Sequence, residues 1–295
     1  MKLSIKNISK TYPNGIEALK NVSLEIGNGM FGLLGPNGAG KSTLMRTIAA
    51  LQDADNGSIT VGDIDVSKDK QSLREILGYL PQEFGVYPKI SANDLLDHLA
   101  VMKGIIDSKQ RKEVVESLLH QTNLWEAKDR KLGTFSGGMK QRFGIAQALI
   151  GDPKLIIVDE PTAGLDPMER NRFHNLLSEI GENVIVILST HIVDDVSDLC
   201  NNMAIILNGE VHLVGEPIQL IKTLDQKVWK GLIEKSDLVE IEKENDVISS
   251  RLYLGKVQVR IFSESPMQYG FESVNPEIED LYFATINGLN ISGIE

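Results

Sequence analysis

Nine consecutive residues near the start of the chain carry the pattern of a phosphate-binding loop. They are Gly35, Pro36, Asn37, Gly38, Ala39, Gly40, Lys41, Ser42 and Thr43, which fit G-x-x-x-x-G-K-S/T. Glycines let backbone N–H groups approach phosphate oxygens without a Cβ in the way. Lys41 is then placed to reach the outer phosphates, and the Ser42 hydroxyl to bind Mg²⁺. The pattern predicts that the chain binds a nucleoside triphosphate.

The segments on either side of this loop support the prediction. Residues 30–34 form a short apolar run that predicts a buried strand. After the loop, Leu44, Ile48 and Leu51 recur at helical spacing. The phosphates would therefore lie at the N-terminus of a helix, where backbone N–H groups favour anions.

Two carboxylates follow a second apolar run. Residues 155–158 are typical of a strand buried on both faces of a parallel sheet, and Asp159 and Glu160 come directly after them. Ligands of such sheets lie beyond the carboxyl ends of the strands, where the phosphate loop is also expected. We expect Asp159 to hold Mg²⁺ and Glu160 to polarise the attacking water. The alternative is a solvated acidic turn before Pro161.

A second candidate anion site precedes a helical pattern that runs to Ile150. Its residues are Ser136, Gly137 and Gly138. Two glycines and a serine at a helix start expose N–H groups to an anion. Alone, the same residues also fit an ordinary loop that enters a helix.

The remaining pattern predicts both strands and helices. Strands joined by turns are expected over residues 3–34 and, in the same style, over 57–82. A helical pattern extends from residue 91 to about residue 150, and a further buried parallel strand is expected over 184–188.

The character of the chain changes near residue 216, where we expect a boundary. Beyond it, a charged helical stretch precedes two alternating strands, one near Leu252 and one over 257–262. A final helix is expected to open with Asn275 as its cap and Pro276 at its first position.

The charge and the sequence patterns argue against several kinds of partner and of cellular location. A formal net charge of −11 argues against nucleic acid and against direct adhesion to an anionic membrane. The alternating start over residues 1–6 is unlike a secretory signal, and no apolar stretch is long enough for a membrane helix. The single cysteine, Cys200, fits a reducing compartment and is expected to be buried.

Together these motifs resemble the ATP-binding-cassette (ABC) ATPases over residues 1 to about 215. Members of this family carry the signature L-S-G-G-Q just upstream of the strand with the paired carboxylates. Here Phe135 replaces the leucine and Met139 the glutamine. Met139 resembles a variant of the exporter-type branch, and residues 274–282 resemble the closing helix of that branch.

The resemblance implies roles for further residues. Tyr12 corresponds to the aromatic residue that stacks on adenine, although a tyrosine packed in the core is the alternative. Gln82 corresponds to the glutamine that reaches the metal and the water and links to the transmembrane partner. His191 corresponds to the switch histidine near the γ-phosphate. Residues 161–166 correspond to a loop between paired nucleotide domains, and Asp166 is also a candidate helix cap.

The resemblance also implies the fold, which is α/β. Residues 1–215 would form a P-loop NTPase core with a parallel sheet, an antiparallel β subdomain and a helical subdomain at about 84–150. Residues 216–295 would form a small α+β C-terminal extension.

The implied activity is hydrolysis of ATP, with Mg²⁺, at the interface of two such domains. The second domain would be another copy or a related chain, and a separate transmembrane permease would use the energy, most simply for export. The chain would lie in the cytoplasm, at the inner face of the membrane through that partner and without inserting directly. The alternatives are a soluble non-transport ABC ATPase, such as one for iron–sulfur assembly, and a regulatory module without turnover. The complete set Lys41, Gln82, Asp159, Glu160 and His191 disfavours the latter.

Overall fold

The computed structural model describes residues 1–82, 85, 87–181, 183–267 and 270–289. Residue 84, where the helical subdomain was predicted to begin, and residues 268, 269 and 290–295 of the predicted extension lie outside this set. Among the described residues the strands form three sheets, and helices pack against them.

The strands, in chain order, are β1 (Leu3–Thr11), β2 (Glu17–Ile26), β3 (Gly29–Leu34), β4 (Asn56–Val61), β5 (Ile64–Asp65), β6 (Leu77–Leu80), β7 (Leu155–Asp159), β8 (Ile185–Thr190), β9 (Asn202–Leu207), β10 (Glu210–Gly215), β11 (Val228–Ile233), β12 (Asp246–Tyr253), β13 (Lys256–Phe262) and β14 (Phe271–Ser273). The α-helices are α1 (Lys41–Ile48), α2 (Lys70–Ile76), α3 (Ala92–Met102), α4 (Ser108–Gln121), α5 (Gly137–Ala148), α6 (Pro167–Gly181), α7 (Val193–Leu199), α8 (Pro217–Lys222), α9 (Leu238–Glu244) and α10 (Ile278–Ile286).

The central sheet has six strands in the order β10-β9-β3-β8-β7-β6. Strand β3 pairs in parallel with β8 and β9, and β7 pairs in parallel with β6 and β8. Every residue of β7 and β8 is buried, which confirms the prediction of strands covered on both faces. Because β3, β7 and β8 run in the same direction, the loops that follow them emerge at one edge of the sheet.

The second sheet is antiparallel, in the order β2-β1-β4-β5. Its apolar side shares one core with helix α1 and one face of the central sheet. Helix α1 ends at Ile48, so Leu51 lies beyond it and is 62% exposed; its predicted helical position was wrong. Residues 70–76 form a helix within a stretch predicted as strands and turns, because Asp69 accepts a hydrogen bond from the Ser72 N–H and starts a helical turn.

Helices α3, α4 and α5 form a separate apolar cluster around buried residues such as Leu96, Leu119 and Phe143. Each begins at a capping side chain, Ser91, Asp107 or Ser136, which accepts a backbone N–H. The helical pattern predicted between residues 91 and 150 is confirmed.

The third sheet, β12-β13-β11-β14, is built from residues after 227. The strands predicted near Leu252 and over 257–262 are present, whereas β11 and β14 were not predicted. Helix α10 begins at Ile278, two residues after the predicted start, because the Glu277 N–H donates to the Asp280 carboxylate at 2.8 Å and fixes the first turn there. The boundary at residue 216 stays a prediction.

The mixed architecture confirms the predicted α/β fold class. Within the described part of the chain, no helix combines the length and the apolar character required to cross a bilayer.

Candidate functional site

The phosphate loop connects β3 to α1 and depends on glycine at the positions where the backbone is most constrained. Gly40, directly before α1, has φ of 108°, a left-handed conformation that side chains disfavour. A Cβ on Gly40 would also collide with the carbonyl oxygen of Ala18. The loop therefore keeps its backbone N–H groups accessible at the helix N-terminus, as an anion site requires.

Lys41 lies folded back inside this loop. Its Nζ donates to the carbonyl oxygens of Gly35, at 2.6 Å, and Pro36, at 3.1 Å. The side chain is 5% exposed, and its Nζ lies 3.7 Å from Oε1 of Glu160. Burial lowers the pKa of Lys41, while the charges of Glu160 and Asp159 act in the opposite direction. An anion that enters the loop meets an amine already held at its centre.

The Glu160 side chain contacts two of the other predicted residues, Gln82 and His191. Its Oε2 accepts a hydrogen bond from Nε2 of Gln82 at 3.1 Å, and its Oε1 lies 3.2 Å from Nδ1 of His191. Its backbone N–H donates to the carbonyl oxygen of Ser189, at the end of the neighbouring strand β8. Glu160 has φ of 49°, an unusual conformation for a residue other than glycine. The carboxylate is thus fixed beside the phosphate loop, in position to accept a proton.

Asp159 ends β7 and is 3% exposed. Its Oδ1 is buried without a hydrogen-bond partner among the described residues. A buried carboxylate oxygen of this kind is costly unless a cation or donor satisfies it. Mg²⁺ prefers oxygen ligands. The candidates here are the carboxylate of Asp159, the hydroxyl of Ser42 and the amide oxygen of Gln82. The donor chemistry of these three residues fits Mg²⁺.

Tyr12 lies at the other end of the same cleft. The cleft has a volume of about 940 Å³, and its walls include Tyr12, the phosphate loop, Gln82 and Glu160. The Tyr12 hydroxyl lies 3.2 Å from Oγ1 of Thr43 and donates to Oε1 of Gln52 at 3.3 Å. The ring is therefore held against the start of α1, where a flat base could stack on it.

The second predicted anion site, Ser136 to Gly138, is separate from this cleft. Ser136 caps α5 by accepting the Met139 N–H at 3.2 Å. Ser136 and Gly137 are exposed, and a Cβ on Gly137 would have open space around it. Among the described residues, the cleft lining includes none of these three. The two candidate anion sites of one chain therefore do not share a cleft.

Several polar contacts near these sites were not predicted. Arg142 on α5 forms an ion pair with Glu169 on α6 at 2.5 Å, and the Asp166 carboxylate accepts the Glu169 N–H at 2.9 Å. Asp166 therefore caps α6 as predicted, but the Glu169 side chain bonds to Arg142 and Arg172 rather than back to the cap. The spacing of three residues between Asp166 and Glu169 predicts the helix cap. No local sequence pattern predicts the pair of Arg142 and Glu169, which are 27 residues apart.

Comparison with known proteins places these features in a family. The family model for the ABC transporter matches residues 19–163. The chain is 33% identical to the uncharacterized ABC transporter ATP-binding protein YxlF of Bacillus subtilis, over 97% of this chain and 99% of the relative. It is 37% identical to the linearmycin resistance ATP-binding protein LnrL of the same organism, over 75% of this chain and 71% of the relative.

A solved structure shares the fold. It is the dimeric ATP-binding cassette MJ0796 in a post-hydrolysis state bound to ADP and phosphate, with a TM-score of 0.66 and 28% identity over 72% of this chain and 98% of that one. Fold and site together define an ATP-binding-cassette ATPase. The chain belongs to the family of ABC transporter ATP-binding proteins. The predictions of ATP binding and of a transporter-type ATPase are confirmed.

Proposed function

We propose that two copies of this chain, or one copy and a related domain, bind two ATP molecules between them. The phosphate loop of one domain and residues 136–138 of the other would contact the same triphosphate. This proposal is supported by the separation of the two candidate anion sites within one chain, since residues 136–138 do not line the cleft of the phosphate loop and Gly137 faces open space. It also agrees with the dimeric state of MJ0796.

Within each site, Tyr12 stacks on the base, and residues 35–43 wrap the phosphates. Lys41 exchanges its carbonyl partners for phosphate oxygens. Ser42, Asp159 and Gln82 would hold Mg²⁺, which would supply positive charge against the phosphate oxygens.

Hydrolysis depends on Glu160. Water attacks the γ-phosphorus, the bond from that phosphorus to the oxygen of the ADP leaving group breaks, and the proton of the water passes to the Glu160 carboxylate. Gln82 and His191 orient that carboxylate and the water. The observation that carries this proposal is the placement of Glu160, 3.1 Å from Gln82 and 3.2 Å from His191, beside the phosphate loop.

The energy would drive a separate transmembrane permease. Export is the favoured direction, because Met139 matches the exporter-type variant and LnrL is named for resistance. The chain would lie at the inner face of the membrane through that permease. Residues 1–215 would form the ATP-binding domain, with a helical subdomain at about 84–150, and residues 216–295 a C-terminal extension. The non-transport alternative is disfavoured by the match to transporter ATP-binding proteins.

Glu160→Gln in the full chain tests the catalytic assignment. We expect phosphate release to fall by about 10²–10⁴-fold while ATP binding persists, because the amide keeps the shape but cannot accept the proton. Glu113→Gln, on the exposed surface of α4, is the control and should leave the rate unchanged. Undiminished phosphate release by Glu160→Gln would show that another group is the base.

The same variant tests the partner. Tagged Glu160→Gln is purified with ATP from detergent-solubilised native membranes, and the proteins that copurify are identified. A multi-spanning protein in fixed ratio supports the transporter role. Recovery from the soluble fraction alone would favour the non-transport ATPase.

A further inference from the structure

Asp195 is the centre of a buried polar cluster outside the proposed nucleotide site. It lies on α7 and is fully buried. Its carboxylate bonds to side chains from three other elements. They are Thr162 after β7, Thr190 at the end of β8, and Arg170 and His174 on α6.

The two carboxylate oxygens have different partners. Oδ1 faces α6, where it accepts from Nε of Arg170 at 2.9 Å and lies 2.9 Å from Nε2 of His174. Oδ2 accepts from the hydroxyls of Thr162, at 2.6 Å, and Thr190, at 3.0 Å. One oxygen therefore anchors Asp195 to α6, and the other joins the segment after β7 to the end of β8.

These partners keep Asp195 in its charged form. Burial alone raises the pKa of this carboxyl, but the hydrogen bonds from His174 and Thr162 and the charge of Arg170 outweigh it, so the pKa lies below its ordinary value. A buried carboxylate with all these donors is a strong acceptor in a fixed place.

The two threonines flank the proposed catalytic groups. Thr162 is two residues after Glu160, and Thr190 directly precedes His191. The Thr190 hydroxyl donates a hydrogen bond to Asp195 and accepts one from the N–H of Ile192 at 2.9 Å, so the turn that contains His191 is closed around it. Thr162 is 3% exposed and Thr190 1%, so water does not substitute for these bonds.

We infer that Asp195 is a positioning residue for ATP hydrolysis, whose Oδ2 ties the loop of Glu160 to the loop of His191. The inference rests on the proposed roles of Glu160 and His191. The backbone bond from the Glu160 N–H to the Ser189 carbonyl joins the two segments where their strands end. Oδ2 adds a second connection through the two threonine hydroxyls, and the contact of 3.2 Å between the Glu160 and His191 side chains depends on both connections. Small displacements of catalytic groups cost large factors in rate.

Threonine variants of the full chain test this inference without removing the buried charge. Thr190→Val and Thr162→Val each delete one hydroxyl, and we expect kcat for ATP to fall about 10- to 100-fold with KM nearly unchanged. Thr190→Ser and Thr162→Ser keep the hydroxyl and should restore kcat to within about threefold. Thr122→Val deletes a buried hydroxyl that bonds to the Leu118 carbonyl on α4, and it should lower the melting temperature without lowering kcat.

A double-mutant cycle separates positioning from general destabilisation. If Thr190 acts through His191, the losses from Thr190→Val and His191→Ala should not multiply in the double variant. Multiplied losses, or valine variants with wild-type kcat, would overturn the inference. If Thr190→Val does not fold, Thr162→Val compared with Thr162→Ser decides in its place. Failure of the proposed function is distinct, because His191→Ala would then hydrolyse ATP as fast as wild type.

Discussion

The two candidate anion sites of this chain differ in how completely they are built. At the phosphate loop, Lys41, Asp159 and Glu160 are buried, and two of them already bond to neighbouring groups. In residues 136–138, called the signature segment below, Ser136 is exposed and Gly137 faces open space. The polar groups of the first site are held in place within one chain, whereas the N–H groups of the second face open space. In the dimer that we propose, ATP bound at the first site of one domain would supply the ligand for the second site of the other.

The largest effect is expected at the preorganised site. Lys41→Ala removes the amine at the centre of the loop, and we expect the ATPase rate to fall at least about 100-fold, as for loss of a group that stabilises transition-state charge. ATP affinity should weaken as well, as measured by equilibrium titration of the purified chain.

A second lysine provides the control for this change. Lys103 is half-buried and donates to the carbonyl oxygens of Arg74, at 2.8 Å, and Leu77, at 2.9 Å. Burial lowers its pKa, as it does that of Lys41. Lys103→Ala should lower the melting temperature and leave ATP affinity intact. Equal loss of affinity in both variants would contradict the special role of Lys41.

Adjacent glycines of the signature segment sharpen the comparison further. Gly137→Ala places a methyl in open space, so the melting temperature should change by less than about 2 °C. If that space faces the ATP of a second domain, the same methyl should lower the ATPase rate at least about tenfold. ATP-dependent dimerisation of a Glu160→Gln background, followed by light scattering, should weaken in parallel.

Gly138→Ala is the matched variant, and here we expect stability to fall. Its methyl would collide with the Glu169 carboxylate, which must then move away from Arg142. We expect a loss of stability of about 1–3 kcal/mol as well as of activity. Unchanged ATPase activity in Gly137→Ala would show that this face does not meet a nucleotide.

The sequence predicted those parts of the molecule whose determinants are local. The phosphate loop is one run of nine residues, and Glu160 directly follows an apolar strand, so spacing alone indicated both. The Asp195 cluster could not be predicted this way, because its partner Thr162 lies 33 residues away and Arg170 lies 25 away. Only the parallel order of β7 and β8 brings those loops together.

The errors in the predicted elements, in contrast, have local causes. Strand β11 was missed because Lys230 and Gly231 interrupt its apolar pattern, although they pair in register with Arg260 and Val259. The start of α10 was placed at Pro276 on a favourable local pattern. The bond between Glu277 and Asp280 sets it two residues later. The first residue of a helix, when it is predicted from residue preferences alone, can be shifted by one specific hydrogen bond.

A moderate effect is expected at the contact between α5 and α6. Arg142 ties the signature helix α5 to α6, and its side chain is 9% exposed. Arg142→Met should cost about 1–3 kcal/mol, because Glu169 loses a buried partner. Arg172 pairs with the same carboxylate at 2.8 Å but is 53% exposed, so Arg172→Met should cost less than about 1 kcal/mol. Thermal unfolding of both variants measures the difference, and equal costs would mean that burial of the pair contributes nothing.

The smallest effect is expected at Tyr12, and it distinguishes two uses of that side chain. If the ring stacks on adenine, Tyr12→Phe should change KM for ATP by less than about threefold, because the stacking surface remains. Tyr12→Ala should raise KM by about tenfold or more, since aromatic stacking on a base is worth about 1–3 kcal/mol. If the hydroxyl bonds to Thr43 and Gln52 matter more, because they hold the start of α1, Phe and Ala should be equally impaired. Kinetics with GTP in place of ATP add a further test, since an aromatic ring stacks on either base. If Tyr12→Phe has a lower KM for ATP than for GTP, groups other than the ring must distinguish the two bases.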